Sequence, residues 1–195
     1  MESAKRPVPD YVARKVVRLF GLSPTELPFS GSESPPTNDT LAQELARLGY
    51  PGFAYLRKPG RMQNPISLLV GALTMADPDS RLVEALPWLL LRFEGFNVDV
   101  MVDMVRARNL QNRLGFAVAL ASEVAARNPL YAHRGAELRH LQTVLESSRL
   151  ANEDTFGRYE TSNQMRAWVK ENRSEAASYW NVLTDLKTEH LPYAN

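Results

Sequence analysis

The sequence predicts an all-α fold, a globular array of seven or eight helices, on three observations. From residue 64 to about 190, apolar residues recur at helical spacing almost without interruption. Helix start and stop signals punctuate that pattern throughout. The period-two alternation that marks a strand has one weak instance, near 51–62, where at most a minor β-hairpin is expected. The 195 residues are 44% hydrophobic and include three Trp, seven Tyr and seven Phe, enough apolar material for a real core.

The elements follow in order. Val12, Val16, Leu19 and Phe20 recur at i, i+4, i+7 and i+8, which predicts a helix from Asp10 to Phe20 with Gly21 as its stop. Ser23 is placed to cap one further turn with Pro24 in its first position. The stretch SGSESPPTN over 30–38 is rich in Ser, Pro and Gly and reads as a linker or exposed loop. The chain is thereby divided into an N-terminal helical segment and linker, 1–38, and a helical domain, 39–195. Thr40 to Leu48 is expected to be helical, with Thr40 and Gln43 at capping-box spacing and Gly49 ending it.

Asn64-Pro65 opens the next helix, with Ile66, Leu69, Val70 and Leu73 facing inward. Asp77-Pro78 repeats that start signal for a helix running to about Phe93, in which Pro87 should produce a kink. Asn97 opens another, with Val98, Met101, Val102 and Val105 on one face. Leu110 to Ala126 carries the small residues Gly115, Ala117, Ala119 and Ala121, where a neighbour is expected to approach closely. Asn128-Pro129 breaks the pattern. Gly135 to Leu150 gives Leu138, Leu141 and Leu145. Ser162 caps a short helix containing Met165, Trp168 and Val169. Ser174 caps the last, expected to reach Leu191, with Ala176, Tyr179, Trp180, Leu183 and Leu186 in one stripe. Trp88, Trp168 and Trp180 are all expected in the core.

Composition excludes several classes of function. The chain has no cysteine, so disulfides, thiolate metal sites and cysteine nucleophiles are ruled out, and a reducing compartment, the cytoplasm, is expected. No apolar run approaches the length of a membrane span, and MESAKRPVPD lacks the apolar core of a signal peptide; no membrane partner is expected. No G-x-S-x-G, phosphate-binding loop or G-x-G-x-x-G is present, so no cofactor and no enzymatic centre are expected, and an unrecognised enzyme ranks as the last alternative. Asp77/Asp79 and Glu153/Asp154 are acidic pairs of the kind that hold magnesium, but they fall where a helix cap and a polar joint belong. His133, Glu137 and His140 share a helical face at i, i+4 and i+7. Without a pattern such as H-E-x-x-H they read as exposed polar residues rather than metal ligands.

Net charge is +1, so any nucleic-acid binding must come from a local patch. Residues 1–61 hold nine basic residues, Lys5, Arg6, Arg14, Lys15, Arg18, Arg47, Arg57, Lys58 and Arg61, against six acidic ones. Arg14, Lys15, Arg18, Arg57, Lys58 and Arg61 are therefore candidate phosphate contacts. Arg106 and Arg113 join them, from a stretch dense in Arg, Asn and Gln, the residue types that read phosphates and base edges. The preferred reading of that stretch is a turn between two helices, in which Asn109 caps and Arg106 faces a helix C-terminus. In the C-terminal stripe, Tyr179, Trp180 and Leu183 are candidate interaction residues, for a protein partner or a second copy. The competing reading buries them in the chain's own core.

Residues 81–121 carry a resemblance. Ala85, Leu86, Pro87 and Leu89, then Arg113, Leu114, Gly115, Phe116 and Leu120, are similar to the helical C-terminal part of AbiE-type antitoxins of abortive-infection systems. The resemblance covers about a fifth of the chain. It implies an antitoxin-like, defence-associated protein that neutralises a nucleotidyltransferase toxin and carries an N-terminal winged helix-turn-helix for DNA. Residues 39–60 offer one helix and an expected hairpin, not a clear helix-turn-helix. The expected function is that of a non-enzymatic interaction protein, with a DNA-binding regulator using the basic N-terminal segment as the alternative.

Overall fold

In a computed structural model of the chain, residues 9–29, 36–157 and 162–194 are described, and the fold is all-α. Among these residues there are nine α-helices. They are α1 (Asp10–Phe20), α2 (Asn38–Leu48), α3 (Pro65–Leu73), α4 (Ser80–Arg92), α5 (Val98–Arg106), α6 (Gln111–Arg127), α7 (Gly135–Glu146), α8 (Asn163–Asn172) and α9 (Glu175–Tyr179). The only strands among them are two residues each, β1 (Asp154–Thr155) and β2 (Val182–Leu183), paired in parallel. No helix among the described residues is long and apolar enough to cross a membrane.

The core is built around α6, which packs against α4, α5, α7 and α9. Leu114, Phe116, Ala117, Val118, Leu120, Ala121 and Val124 are all buried, so α6 is apolar on nearly every side, as a central helix must be. Its small residues admit a close neighbour, as the sequence suggests. The neighbour is the indole of Trp180, pressed onto Gly115. A second cluster of edge-to-face rings joins Tyr50, Trp88, Phe93 and Tyr193. Burial pushes the Tyr50 hydroxyl up to about 12 and the Tyr193 hydroxyl well above its usual value.

Four buried or half-buried polar side chains fasten the helices together through bonds to backbone and to carboxylates. Asn64 caps α3 by accepting from Ile66 N–H at 2.8 Å, while its amide donates to the carbonyls of Thr25 and Leu27 at 2.8 and 2.6 Å. Asn112 exchanges two bonds with Leu150. Arg134 donates to Leu90 O and pairs with Glu137. Arg113 makes a bidentate pair with Asp154, at 2.9 and 2.8 Å, and donates to the carbonyls of Leu73 and Met75.

Several expectations are corrected. Residues 51–62 form no hairpin: Pro51–Leu56 is 3₁₀, with Phe53 turned into the core, and Pro51 and Pro59 lack the donors a ladder needs. α2 starts at Asn38, because the capping box is Thr37/Thr40 rather than Thr40/Gln43. α4 starts at Ser80, not at Asp77-Pro78. Asn38 holds the 77–79 turn by accepting from Asp79 N–H at 3.0 Å. α4 does run through Pro87 to Arg92, with Phe93 as its C-cap, close to the expected end. α7 ends at Glu146 because the Ser147 and Ser148 hydroxyls donate to the carbonyls of Val144 and Leu145.

The last helix stops at Tyr179 rather than Leu191. Asn181 takes a left-handed φ of 54°, and the backbone beyond it pairs with β1 instead. Trp168 is 52% exposed, not in the core: α8 buries Val169 alone and turns its aromatic side outward. The linker expected at 30–38 lies outside the described residues over 30–35. Thr37 and Asn38 already belong to the start of α2.

Candidate functional site: an outward apolar helix face over a basic cleft

α1 ends where Gly21 takes a φ of +61° and donates to Val17 O, the left-handed stop that glycine adopts without steric cost. Its two faces differ sharply. Tyr11, Arg14, Lys15 and Arg18 lie at i, i+3, i+4 and i+7 and share one side. Val12, Val16, Leu19 and Phe20 share the other.

The basic side flanks the body of the protein, with Arg14 half-buried and Lys15 and Arg18 exposed. With Val17 it lines a hollow of about 660 Å³ that is closed by Leu22, Leu27, Gly60, Arg61 and Met62. The apolar side faces outward, with Leu19 72% and Phe20 69% exposed. Of the twelve exposed large apolar side chains among the described residues, six fall between Tyr11 and Phe29. An ordinary surface helix buries its apolar stripe.

The cleft continues on both sides of this hollow. Inward, Arg14 and Arg61 also border a cavity of about 670 Å³ with Pro28, Phe29, Glu44, Arg47 and Gln63. Outward, Gly21, Leu22, Pro24 and Met62 lead into a hollow of about 870 Å³ lined by Arg47, Arg57, Arg92, Glu94 and His133 among others. Among the described residues, seven Lys and Arg side chains line the three spaces, against two carboxylates. Both carboxylates already face a base, Glu44 toward Arg47 and Glu94 toward His133. Burial raises the Glu44 carboxyl above its usual range, and Arg47 and Arg14 pull it back down. Gly60 makes room for Arg47: a Cβ at residue 60 would lie 2.6 Å from the guanidinium nitrogen Nε.

The structure therefore gathers Arg14, Lys15, Arg18 and Arg61 along one cleft and brings Arg57 to its outer end. It adds Arg47 and Arg92, whose place in the cleft depends on the packing of α2 and α4 and has no local signature in the sequence. Lys58 is exposed but lines none of these spaces. Arg106 lies apart, donating to Ser147 Oγ. Arg113 lies apart from the cleft, half-buried, with four internal bonds to Asp154, Leu73 and Met75.

Of the C-terminal trio, Trp180 and Leu183 are fully buried. Tyr179 is 45% exposed under the Arg149 guanidinium, so the stripe is mostly core. His133 pairs with Glu94, Glu137 with Arg134, and His140 is exposed, so these three do not converge. Glu153 is neutralised by Arg166, Lys170 and Arg173, and Asp154 by Arg113, which makes that acidic pair a structural joint.

The apolar residues that carry the AbiE-type resemblance are buried in α4 and α6, so they build scaffold rather than surface. No protein family, curated protein or solved structure matches the chain.

Proposed function

We propose that this is a non-enzymatic interaction protein that docks the outer face of α1 into an apolar groove on a partner protein. The exposed stripe of Val16, Leu19 and Phe20 on a formed helix carries this reading, because such a stripe gains by being covered. The chemistry of the partner follows from the flanks: Lys15 and Arg18 border the stripe and make no ion pair among the described residues, so the groove that fits has an acidic rim. The resemblance of 81–121 to AbiE-type antitoxins supports a nucleotidyltransferase-type toxin as that partner. Co-expression with the protein encoded beside this one, followed by sizing, tests the reading. The expected result is a complex that Leu19→Ser or Phe20→Ser abolishes while the free chain's stability stays within about 0.5 kcal/mol, as for other surface changes. A complex that survives both substitutions would place the docking surface elsewhere.

A second reading, a DNA-binding regulator, draws on the convergence of Arg14, Lys15, Arg18 and Arg61 on one cleft. It requires sequence-specific binding at physiological salt, with a salt slope of about 0.9 per neutralised phosphate. Arg18→Gln and Arg61→Gln would then each lower that slope. Binding that vanishes at physiological salt would leave the docking reading alone.

A further inference from the structure

We infer that the hollow between α6, α7 and α9 binds a small organic ammonium ion that also carries an uncharged oxygen acceptor, as an amino alcohol or an amino-acid amide does. The hollow shares no lining residue with the basic cleft beside α1. Gly115, Ala119, Ser122 and Ala126 follow at i, i+4, i+7 and i+11 along one face of α6. The Trp180 indole rests on Gly115 by its ring carbons Cε3 and Cζ3, so the edge that carries Nε1 is the one turned away from that contact. Trp180, Ala119, Ser122 and Ala126 then line a hollow of about 550 Å³, the size of a small-molecule site.

Two polar atoms of this lining are stranded. Nε1 of Trp180 and Oγ of Ser122 are both shut off from solvent, and neither has a hydrogen-bond partner among the described residues. Trp180 as a whole is fully buried. Polar groups left in this state cost the fold their desolvation, and two on the same hollow call for a common partner. An indole N–H only donates, and a hydroxyl can donate beside it, so that partner is an oxygen acceptor. The charge of the ligand follows from the rest of the lining. Glu123 and Glu175 border the hollow, and no Lys or Arg among the described residues does. Glu123 accepts from the Thr188 hydroxyl, a neutral donor that leaves its charge in place. Glu175 makes no ion pair among the described residues, and Arg149 is engaged by the ring and carbonyl of Tyr179. An anion is repelled by this pair of carboxylates, and an ammonium group is attracted. A water would serve the two donors but not the carboxylates.

Nuclear magnetic resonance of the nitrogen-labelled full chain tests the inference. The three Trp residues give three indole N–H signals, and Trp180→Phe identifies the one that belongs to Trp180. Ethanolamine, glycinamide and leucinamide are titrated in turn. At least one should bind one-to-one with Kd of about 1 mM or tighter and move the Trp180 signal downfield, as a new hydrogen bond does, while the Trp88 and Trp168 signals stay in place. Butylamine, which lacks the acceptor, and acetamide, which lacks the charge, should bind at least about tenfold more weakly. Ser122→Ala and Glu175→Gln, each checked for an unchanged circular dichroism spectrum, should weaken the ligand about threefold or more. No binding in the millimolar range would overturn the inference, as would binding that leaves the Trp180 signal unmoved or that both variants leave unchanged. A Trp180 signal already at its downfield position in the free protein would also overturn it, by showing that water alone is the missing partner.

Discussion

The indole of Trp180 fills the space that any side chain on residue 115 would need: a Cβ on Gly115 would lie 2.3 Å from ring carbon Cε3. Trp180 is fully buried, and its ring N–H has no hydrogen-bond partner among the described residues. The contact therefore works by shape and area alone. Trp180→Ala should cost about 3–5 kcal/mol, as large-to-small core changes do, and Gly115→Ala about 1–3 kcal/mol by overpacking. Trp180→Phe should cost less than Trp180→Ala, because the phenyl ring refills most of the cavity and both changes remove the same unpartnered donor. Urea melts of the three variants check this, and an unchanged midpoint for Gly115→Ala would disprove the close packing.

Asn64 ties the N-terminal segment to the body. Its amide reaches the Thr25 and Leu27 carbonyls while its oxygen caps α3. Asn64→Asp keeps the cap but turns two donors into a carboxylate facing two carbonyls. The variant should lose about 2–3 kcal/mol, the penalty for stranded buried polar groups. Trypsin should then cut first between residues 14 and 18, the basic run of α1. Equal cleavage of variant and parent would show that residues 23–27 are held by other means.

Arg113→Lys replaces a fork that serves three partners with a single ammonium. It should cost about 1.5–3 kcal/mol, the worth of bonds to a charged group. Asp154→Asn should cost a similar amount, and the double variant less than the sum of the two. Strict additivity would show that the pair is not coupled.

Tyr50 and Tyr193 give an alkaline limit. Burial lifts both hydroxyls above their usual value, Tyr50 to about 12. The folded state therefore holds these protons more tightly than the unfolded chain. Stability is intact below about pH 10, where both states are protonated, and declines as pH climbs through the raised values. Denaturant midpoints should fall from about pH 10 upward, and less steeply in Tyr193→Phe. A midpoint that stays flat to pH 12 would contradict the burial of these hydroxyls.

The sequence is most legible where local chemistry decides. The bounds of α1, the Asn64-Pro65 start of α3, the Asn97 start of α5 and the Ser162 and Ser174 caps follow from residues within one helical turn. It is least legible where a distant partner decides. Nothing near residue 181 announces that its backbone will turn aside to pair with Asp154, twenty-seven residues away. Nor does the pattern of α8 show that Trp168 faces solvent. The stripe on α1 is an instructive case: its periodicity marks the helix correctly but not the side that faces the body, along which Ala13, Arg14 and Val17 are half-buried. Arg47 and Arg92 enter the cleft only through the packing of α2 and α4, so no reading of neighbours along the chain finds them.

The Gly115 notch also constrains how the protein is made. The groove on α6 is complete once the chain reaches residue 127, but the ring that fills it arrives with residue 180. Until then a nascent chain carries an open apolar slot at the centre of its main helix. This long-range closure slows folding and leaves a surface of the kind that chaperones and proteases recognise. A chain cut short before residue 180 should therefore keep that slot open, and limited proteolysis of such a truncation should find α6 more accessible than in the full sequence.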